Sequence, residues 1–444
     1  MKCSVGLMQK QCSAWLWLLL AGLAVTGAQP ATNTPAAAFP ANETLEQLSL
    51  ANAQRIAFER NWDLLAAKSD VDAATAQQIV SKEFPNPAVS FSVAKISADN
   101  KYPNQGGSFW QRDYDSIAAV NQLFEIGGKR KSRQISAQAG LEGARARLAD
   151  ARRTLDLAVA SAYAGAGLAE GNVRVLSESA GSLRREADIA AERLKAGDIS
   201  TADKSRIEIT AEQFELDAQS AEAAAKTARI NLELLLGISK FAGEMRLTDK
   251  LEDLANAPVA GAEVTPAAGR SDLVAAEQAL RKSEADLRLQ KAGRIPDPTF
   301  LAQYEHQPPT QPNTIGFGVS FPLPLWNLNR GAIKAAEAAR DQAHTQVEKV
   351  KAQIAADIAT ARLNYESALK RWQSYHDELR PRSEKIRQTV AFAYEKGGAS
   401  LLDLLSAERD DNSVRQAAMQ AASDAAVAAA TLKAATEVMN MQTQ

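Results

Sequence analysis

Hydrophobic and polar positions along this chain change their period at a few sharply defined places. Residues 129–196 hold no proline and are dominated by Ala, Leu, Arg, Glu and Gln, all good helix formers. Helical patterning carried uncapped beyond about 25 residues points to coiled-coil-like packing rather than to an ordinary globular helix. At 1.5 Å per residue such a helix reaches roughly 100 Å. Residues 331–396 predict a second helix of nearly the same length, broken only by Pro381. Returning helices are predicted over 202–236 and 402–438, the first closed by Leu234-Leu235-Leu236-Gly237, a leucine run with a helix-ending glycine. Two further helices, about 55–83 and 267–294, match the long ones only if each stacks end to end on a returning helix.

The breaks Phe84-Pro85-Asn86-Pro87 and Ile295-Pro296-Asp297-Pro298 lead into segments of period two, the strand signature. Ala88–Ala94 places Val89, Phe91 and Val93 on one side. Thr314–Phe321 places Ile315, Phe317, Val319 and Phe321 on one face and Thr314, Gly316, Gly318 and Ser320 on the other. With Tyr114–Phe124 and Phe300–Glu305 as partners, each half of the chain forms one β-hairpin, with loops at about 98–113 and 307–313. Strands of ~10 residues tilted ~45° can cross an outer membrane, and apolar-out, polar-in alternation is that of a transmembrane barrel. The same pattern also fits a soluble hairpin packed on the helices. Edge accounting sharpens the choice, because four strands cannot close a barrel and a membrane tolerates no open edge. Either the strands lie outside a membrane, or several chains pool them.

The two halves are copies. Gly197, Ser200 and Asp203 recur in register as Gly397, Ser400 and Asp403, and Glu208 recurs as Glu408. A unit this long is no solenoid repeat, which runs about 20–50 residues. The chain divides into an N-terminal leader (1–28), a connector (29–54), repeat 1 (55–237), a second connector (238–266), repeat 2 (267–438) and a tail (439–444). Repeat 1 holds β-hairpin 88–124 and helical hairpin 129–236 with its tip at 195–203. Repeat 2 holds β-hairpin 299–323 and helical hairpin 331–438 with its tip at 395–403.

Composition narrows the compartment. Lys2 and Lys10, the apolar run Trp15–Val25 and the small residues Thr26-Gly27-Ala28 read as a secretory signal peptide, too short to remain as a membrane span. Both cysteines, Cys3 and Cys12, fall inside it, which excludes a disulfide framework or a cysteine metal site in the mature chain. With 51 basic and 53 acidic residues the net charge is −2, so no global field attracts nucleic acid. Few aromatics (6%) and much alanine suit long helices packed closely through small side chains.

Signals for catalysis are absent. His306, His344 and His376 show no ligand spacing, and neither a phosphate loop nor a nucleophile elbow occurs. No catalytic residue, metal site or cofactor is expected. Gly127-Gly128-Lys129-Arg130-Lys131 lacks P-loop spacing and reads as a flexible joint where strand becomes helix. Lys129, Arg130, Lys131 and Arg133 sit at that helix N-terminus, where the dipole disfavours cations. They either touch lipid head groups or form a solvated patch.

Several of these features, taken together, resemble the TolC-type outer-membrane efflux ducts over almost the whole mature length. The carriers are the duplicated hairpin-plus-helix plan, Phe84-Pro85-Asn86-Pro87, Phe321-Pro322-Leu323-Pro324-Leu325-Trp326-Asn327, Arg330-Gly331 and the Gly-x-x-Ser-x-x-Asp tips. The Phe-Pro-Leu-Pro-Leu-Trp stretch and Glu125-Ile126-Gly127-Gly128-Lys129-Arg130 are most similar to the Czc-type heavy-metal branch.

The resemblance implies a mostly α fold with a transmembrane β part, four strands and long coiled-coil-like helices per chain. Three chains would form a twelve-stranded β-barrel continued by a periplasmic α-helical barrel. It implies a homotrimer in the outer membrane of a Gram-negative bacterium, in contact with lipid. A periplasmic adaptor (membrane fusion protein) and an inner-membrane RND-type pump would be its partners. The function implied is a passive exit duct, with heavy-metal cations as substrate. The same duct could serve drug efflux or polypeptide secretion. From a different class, a periplasmic coiled-coil adaptor fits the long helices, but it should carry a single helical hairpin flanked by lipoyl-like β sequence. An enzyme is the weakest reading.

The resemblance also assigns residues. Asp203, Tyr394, Asp403 and Ser406 fall at the periplasmic aperture and its latch, although Ala399 stands where an arginine is expected and Ser406 where a second aspartate is. Gly197, Ser200, Gly397 and Ser400 form the adaptor-contacting tips. Val89, Phe91, Val93, Ile315, Phe317 and Val319 face lipid. Ser200, Ser400, Asp203 and Asp403 also sit where helix N-caps belong.

Overall fold

The computed structural model describes residues 47–95, 114–256, 269–307 and 311–439. The signal peptide, most of the first connector and the loop 98–113 lie outside the described residues. In chain order the elements are β1 (Gln47–Leu48), α1 (Leu50–Arg60), α2 (Trp62–Lys82), β2 (Ala88–Ala94), β3 (Asp115–Leu123), α3 (Lys129–Ala196) and α4 (Thr201–Leu235). After the second connector, which carries β4 (Arg246–Leu247) and α5 (Leu251–Ala255), come α6 (Ser271–Ala292), β5 (Thr299–Gln307) and β6 (Gln311–Ser320). The last are α7 (Arg330–Gln373), a π turn (Ser374–Leu379), α8 (Arg380–Glu395) and α9 (Leu401–Thr436).

Two of these differ from the expected elements. The helix expected over 55–83 is two helices divided at Asn61, whose side-chain oxygen accepts from Leu64 N and so caps α2. The break expected at Pro381 is instead a π turn within a continuous helical path. Pro381 has no N–H to give to the Asp377 carbonyl, and wider bonding, such as Arg380 N to the Tyr375 carbonyl, carries the chain past it.

The four long strands form one antiparallel sheet in the order β2-β3-β5-β6. The helices repeat that order. α3 packs against both α2 and α4 on one flank, and against both α6 and α9 on the other. These last two pack in turn on α7. The wall therefore has four columns (α2 with α4, α3, α6 with α9, α7 with α8), each continuing one strand.

The two columns in which separate helices stack end to end each have a polar joint. The Asn61 amide, buried, donates to the Leu235 carbonyl at the end of α4 (3.0 Å). Gly237 passes close by with φ of +72°, and a Cβ there would lie 2.3 Å from the Arg60 carbonyl oxygen, so no other residue fits. In the other column Arg270, 3% exposed, pairs with Asp272 (2.7 Å) and Asp357 (3.0 Å), while Met439 N donates to the Gly269 carbonyl.

The middle of α3 is belted by the two connectors. Tyr163, buried, donates to the Leu48 carbonyl (2.8 Å) and accepts from Asp249 N (3.2 Å), beside the parallel pair β1-β4. Leu48, Ile56, Leu155, Val159 and Leu232 form the core there. A second core buries Trp372 among Ala421, Ala422 and Ala425, the close alanine packing that the composition predicts.

Candidate functional site

Register places the strand side chains. Val89 lies opposite Val120, Phe91 opposite Ala118, Phe300 opposite Val319, Ala302 opposite Phe317 and Tyr304 opposite Ile315. Directly paired residues share a face, so Val89, Phe91, Val93, Ile315, Phe317 and Val319 lie on one apolar face of the sheet. Phe317 is 84% exposed and Val89 77%, values far above those of a packed core. The opposite face carries Ser90, Ser92, Asn121, Gln303, Glu305 and Thr314. Among the described residues the outer edges of β2 and β6 are unpaired.

The joint between sheet and helices is held by charge rather than being loose. Gly127 and Gly128 both take positive φ, which swings β3 into α3, and a Cβ on Gly127 would meet Ile295 at 2.8 Å. Asp297 receives Ile126 N (2.9 Å) and pairs with Lys129 (2.8 Å). Arg133 forks onto both oxygens of Glu125 (2.5 and 2.8 Å) and holds that carboxyl below its usual range. Arg130 donates to the Lys82 carbonyl and lies 3.8 Å over the Phe84 ring. Three of the four cations that sequence left between lipid contact and solvated patch are thus joint-holding residues. Asp297 and Glu125 supply the charge that offsets the unfavourable dipole.

At the far end of the helices stand the two tips. Gly197 (φ +82°) and Gly397 (φ +75°) turn the chain, and Ser200 and Ser400 cap the helices that follow. Asp403 completes a capping box: its carboxylate accepts from Ser400 N (3.0 Å) and Ser400 Oγ (2.6 Å), while Asp403 N donates to Ser400 Oγ. These bonds hold its carboxyl below the usual range. Asp203 repeats only part of the box, through Ser200 Oγ (2.8 Å). Ser406 is exposed on α9, one turn from Asp403.

Tyr394 is buried at 8% exposure. The Arg193 guanidinium of α3 lies 5.3 Å from its ring centroid, within cation–π reach. Burial, opposed by Arg193, pushes the phenol up, and the charges of Glu186 and Asp203 add to the rise. Arg193 of the first hairpin and Tyr394 of the second thus meet across the two tips. The sequence reading missed Arg193, since a basic residue in a last helical turn looks like dipole compensation.

Sequence reading also missed a polar knot higher on the same hairpin. Arg387 of α8 pairs with Glu408 and Asp411 of α9, both at 3.3 Å, and Ser383 Oγ donates to Asp411 (2.5 Å). The three histidines stay apart, on β5, α7 and the π turn, and among the described residues no group of His, Cys, Asp and Glu could hold a metal ion. Among them, too, no helix is long and apolar enough to cross a membrane.

With this geometry, the model of the outer membrane efflux protein family matches residues 54–238 and 267–437, the two repeats without their connector. The chain belongs to the outer membrane efflux protein family. It is similar to the cobalt-zinc-cadmium resistance protein CzcC of Cupriavidus metallidurans, 25% identical over 374 residues, 84% of this chain and 85% of that one. Its fold is shared with the solved structure of CusC (TM-score 0.72, 16% identity, 88% and 92% of the two chains covered). It is shared also with the outer membrane protein VceC of Vibrio cholerae (TM-score 0.69, 19% identity, 87% and 95%). As a member of this efflux protein family the chain is an outer-membrane efflux channel of a Gram-negative bacterium.

Proposed function

We propose that three copies of the chain pool their strands into a twelve-stranded barrel and their helix columns into a periplasmic tube. The assembly is the passive exit duct of a tripartite efflux system. The observation that carries this reading is the sheet itself: four strands, one apolar face and, among the described residues, two free edges on β2 and β6. Neither edge can face lipid unpaired, and β6 of one copy against β2 of the next removes both. The helix columns follow the strand order, so closing the sheet closes the tube.

The tips then form the periplasmic entrance, with Asp403 and Ser406 at the aperture and Gly197, Ser200, Gly397 and Ser400 available to a periplasmic adaptor. An inner-membrane RND-type pump supplies the energy, and substrate diffuses outward once the tips part. No bond is made or broken, and the reading assigns no enzymatic step. Likeness to the cobalt-zinc-cadmium resistance protein supports heavy-metal cations as cargo, with selection made by the pump.

Purification in mild detergent followed by light scattering tests the assembly, with a trimer mass expected and a monomer or a soluble periplasmic protein overturning it. Deleting the gene should sensitise cells to cobalt, zinc or cadmium more than to drugs. Drug sensitivity alone would move the cargo to the rival reading.

A further inference from the structure

The duplicated glutamates have diverged in setting. Glu208 and Glu408 each stand eleven positions beyond their tip glycine, Gly197 or Gly397. Glu208 is partly exposed and pairs with Lys204 one turn back (2.6 Å). Glu408 is 3% exposed, and so is Asp411, yet the one guanidinium of Arg387 serves both.

A third carboxylate enters from the first repeat. Glu186 of α3 stands eleven positions before Gly197, and the antiparallel packing of α3 with α9 brings it level with Glu408. It is half-buried beside Leu183, Ala187 and Ala190, the residues on which Leu401 and Leu405 of the second tip pack. The other charged groups around the pair are Glu395 and Arg387 of α8, Arg185 and Arg193 of α3, and Asp411 and Arg415 of α9. Arg193 is engaged by the Tyr394 ring, Arg415 by Glu178 on α3, and Arg387 by Asp411. Arg185 is exposed to solvent and the other three cations are shared, so the buried carboxylates Glu408 and Asp411 rest on the one guanidinium of Arg387.

We propose that this interface is a proton-operated fastening, in which protonated Glu186 and Glu408 hold the second tip against α3 and their ionisation loosens it. The proposal rests on the reading that the tips are the duct entrance. Burial pushes the Glu408 carboxyl up, and Arg387 only partly opposes it. Burial and then the charge of Glu408 push Glu186 up as well. When the hairpins part, water restores ordinary values near 4.3. The packed state therefore binds more protons, gains stability as pH falls, and loses it as pH rises through the raised values. Acid fastens the entrance and alkali frees it.

Amide exchange on the full-length protein in detergent tests this, each rate being divided by its intrinsic rate at that pH. Between about pH 8 and about pH 5, protection at 183–190 and 401–411 should rise by up to about tenfold per pH unit for each proton taken up. Glu186→Gln should lose the share of that pH dependence carried by its own proton and show raised protection at the alkaline end. Glu408→Gln should do the same. Glu186 is only half-buried, so its variant keeps the test decisive if Glu408→Gln fails to fold. Protection independent of pH in the unmodified chain, or an unchanged pH dependence in Glu186→Gln, overturns the fastening. Failure of the duct reading would appear as absent conductance in planar bilayers and would leave this exchange result as it stands.

Discussion

The Asn61 side chain joins two helices that meet end to end, donating to the Leu235 carbonyl over 3.0 Å while accepting from Leu64 N over 3.1 Å. One buried amide closes the last turn of α4 and opens the first turn of α2. Asn61→Ala removes both bonds and strands a carbonyl away from water, a loss of about 1–3 kcal/mol. Asn61→Asp keeps the cap and loses the donor, and should fall between the two in denaturant midpoint.

The equivalent joint in the second repeat is ionic and therefore pH-dependent. Burial alone would raise the Asp272 carboxyl, but the hydrogen bonds and charge of Arg270 prevail and hold it below its usual value. A depressed carboxylate stabilises the fold above its ordinary pKa, about 4, and ceases to do so as pH falls through the lower folded value. Thermal stability should therefore fall below about pH 4. Asp272→Asn should flatten that acid limb while lowering stability at neutral pH.

Capping and conduction can be separated at the second tip. Ser400→Ala removes a cap and should cost about 1 kcal/mol. Asp403→Asn keeps an oxygen for the Ser400 N–H and removes only the charge. In planar bilayers this variant should show reduced cation preference with its first helical turn still protected from exchange. An unchanged preference would leave Asp403 as a cap alone.

The two faces of the sheet should respond oppositely to charge. Phe317→Arg on the apolar face should cost ~2–4 kcal/mol near the bilayer midplane. Ser92→Arg on the polar face should leave the yield of membrane-inserted protein near that of the unmodified chain. Urea-washed membranes give the measurement, and equal yields would place Phe317 away from lipid.

Much of the fold was legible because period is a strong signal over long spans. α3 begins at Lys129 and ends at Ala196, where the proline-free run and Gly197 put its ends, and β2 fills Ala88–Ala94. The rest was hidden for identifiable reasons. Asn61 within an amphipathic stretch reads as a surface residue, because its partner Leu235 lies 174 positions away. On sequence alone the basic run at 129–133 fits lipid contact or a solvated patch, because Asp297, which pairs with Lys129, belongs to the other repeat. Arg387, Glu408 and Asp411 look like ordinary surface charges at helical spacing, and it is the packing of α3 and α8 on α9 that buries the two acids.

The π turn decides which residues of α8 meet their neighbours. Ahead of it the inward stripe of α7 runs Ile354, Ile358, Ala361, Tyr365, Ala368 and Trp372, in steps of three and four. Beyond it the inward positions are Arg380, Ser383, Arg387, Val390 and Tyr394, one residue later than an unbroken helix would place them. The turn thus absorbs a single surplus residue. Wound as plain α-helix, the same segment would present Leu379, Arg382, Ile386, Thr389 and Ala393 instead, a swing of about 100° that carries Arg387 and Tyr394 out of the interface. Deleting one residue between 374 and 379 should straighten the helix and leave both stripes in phase. Inserting one there should throw the whole tip out of phase from twenty residues away.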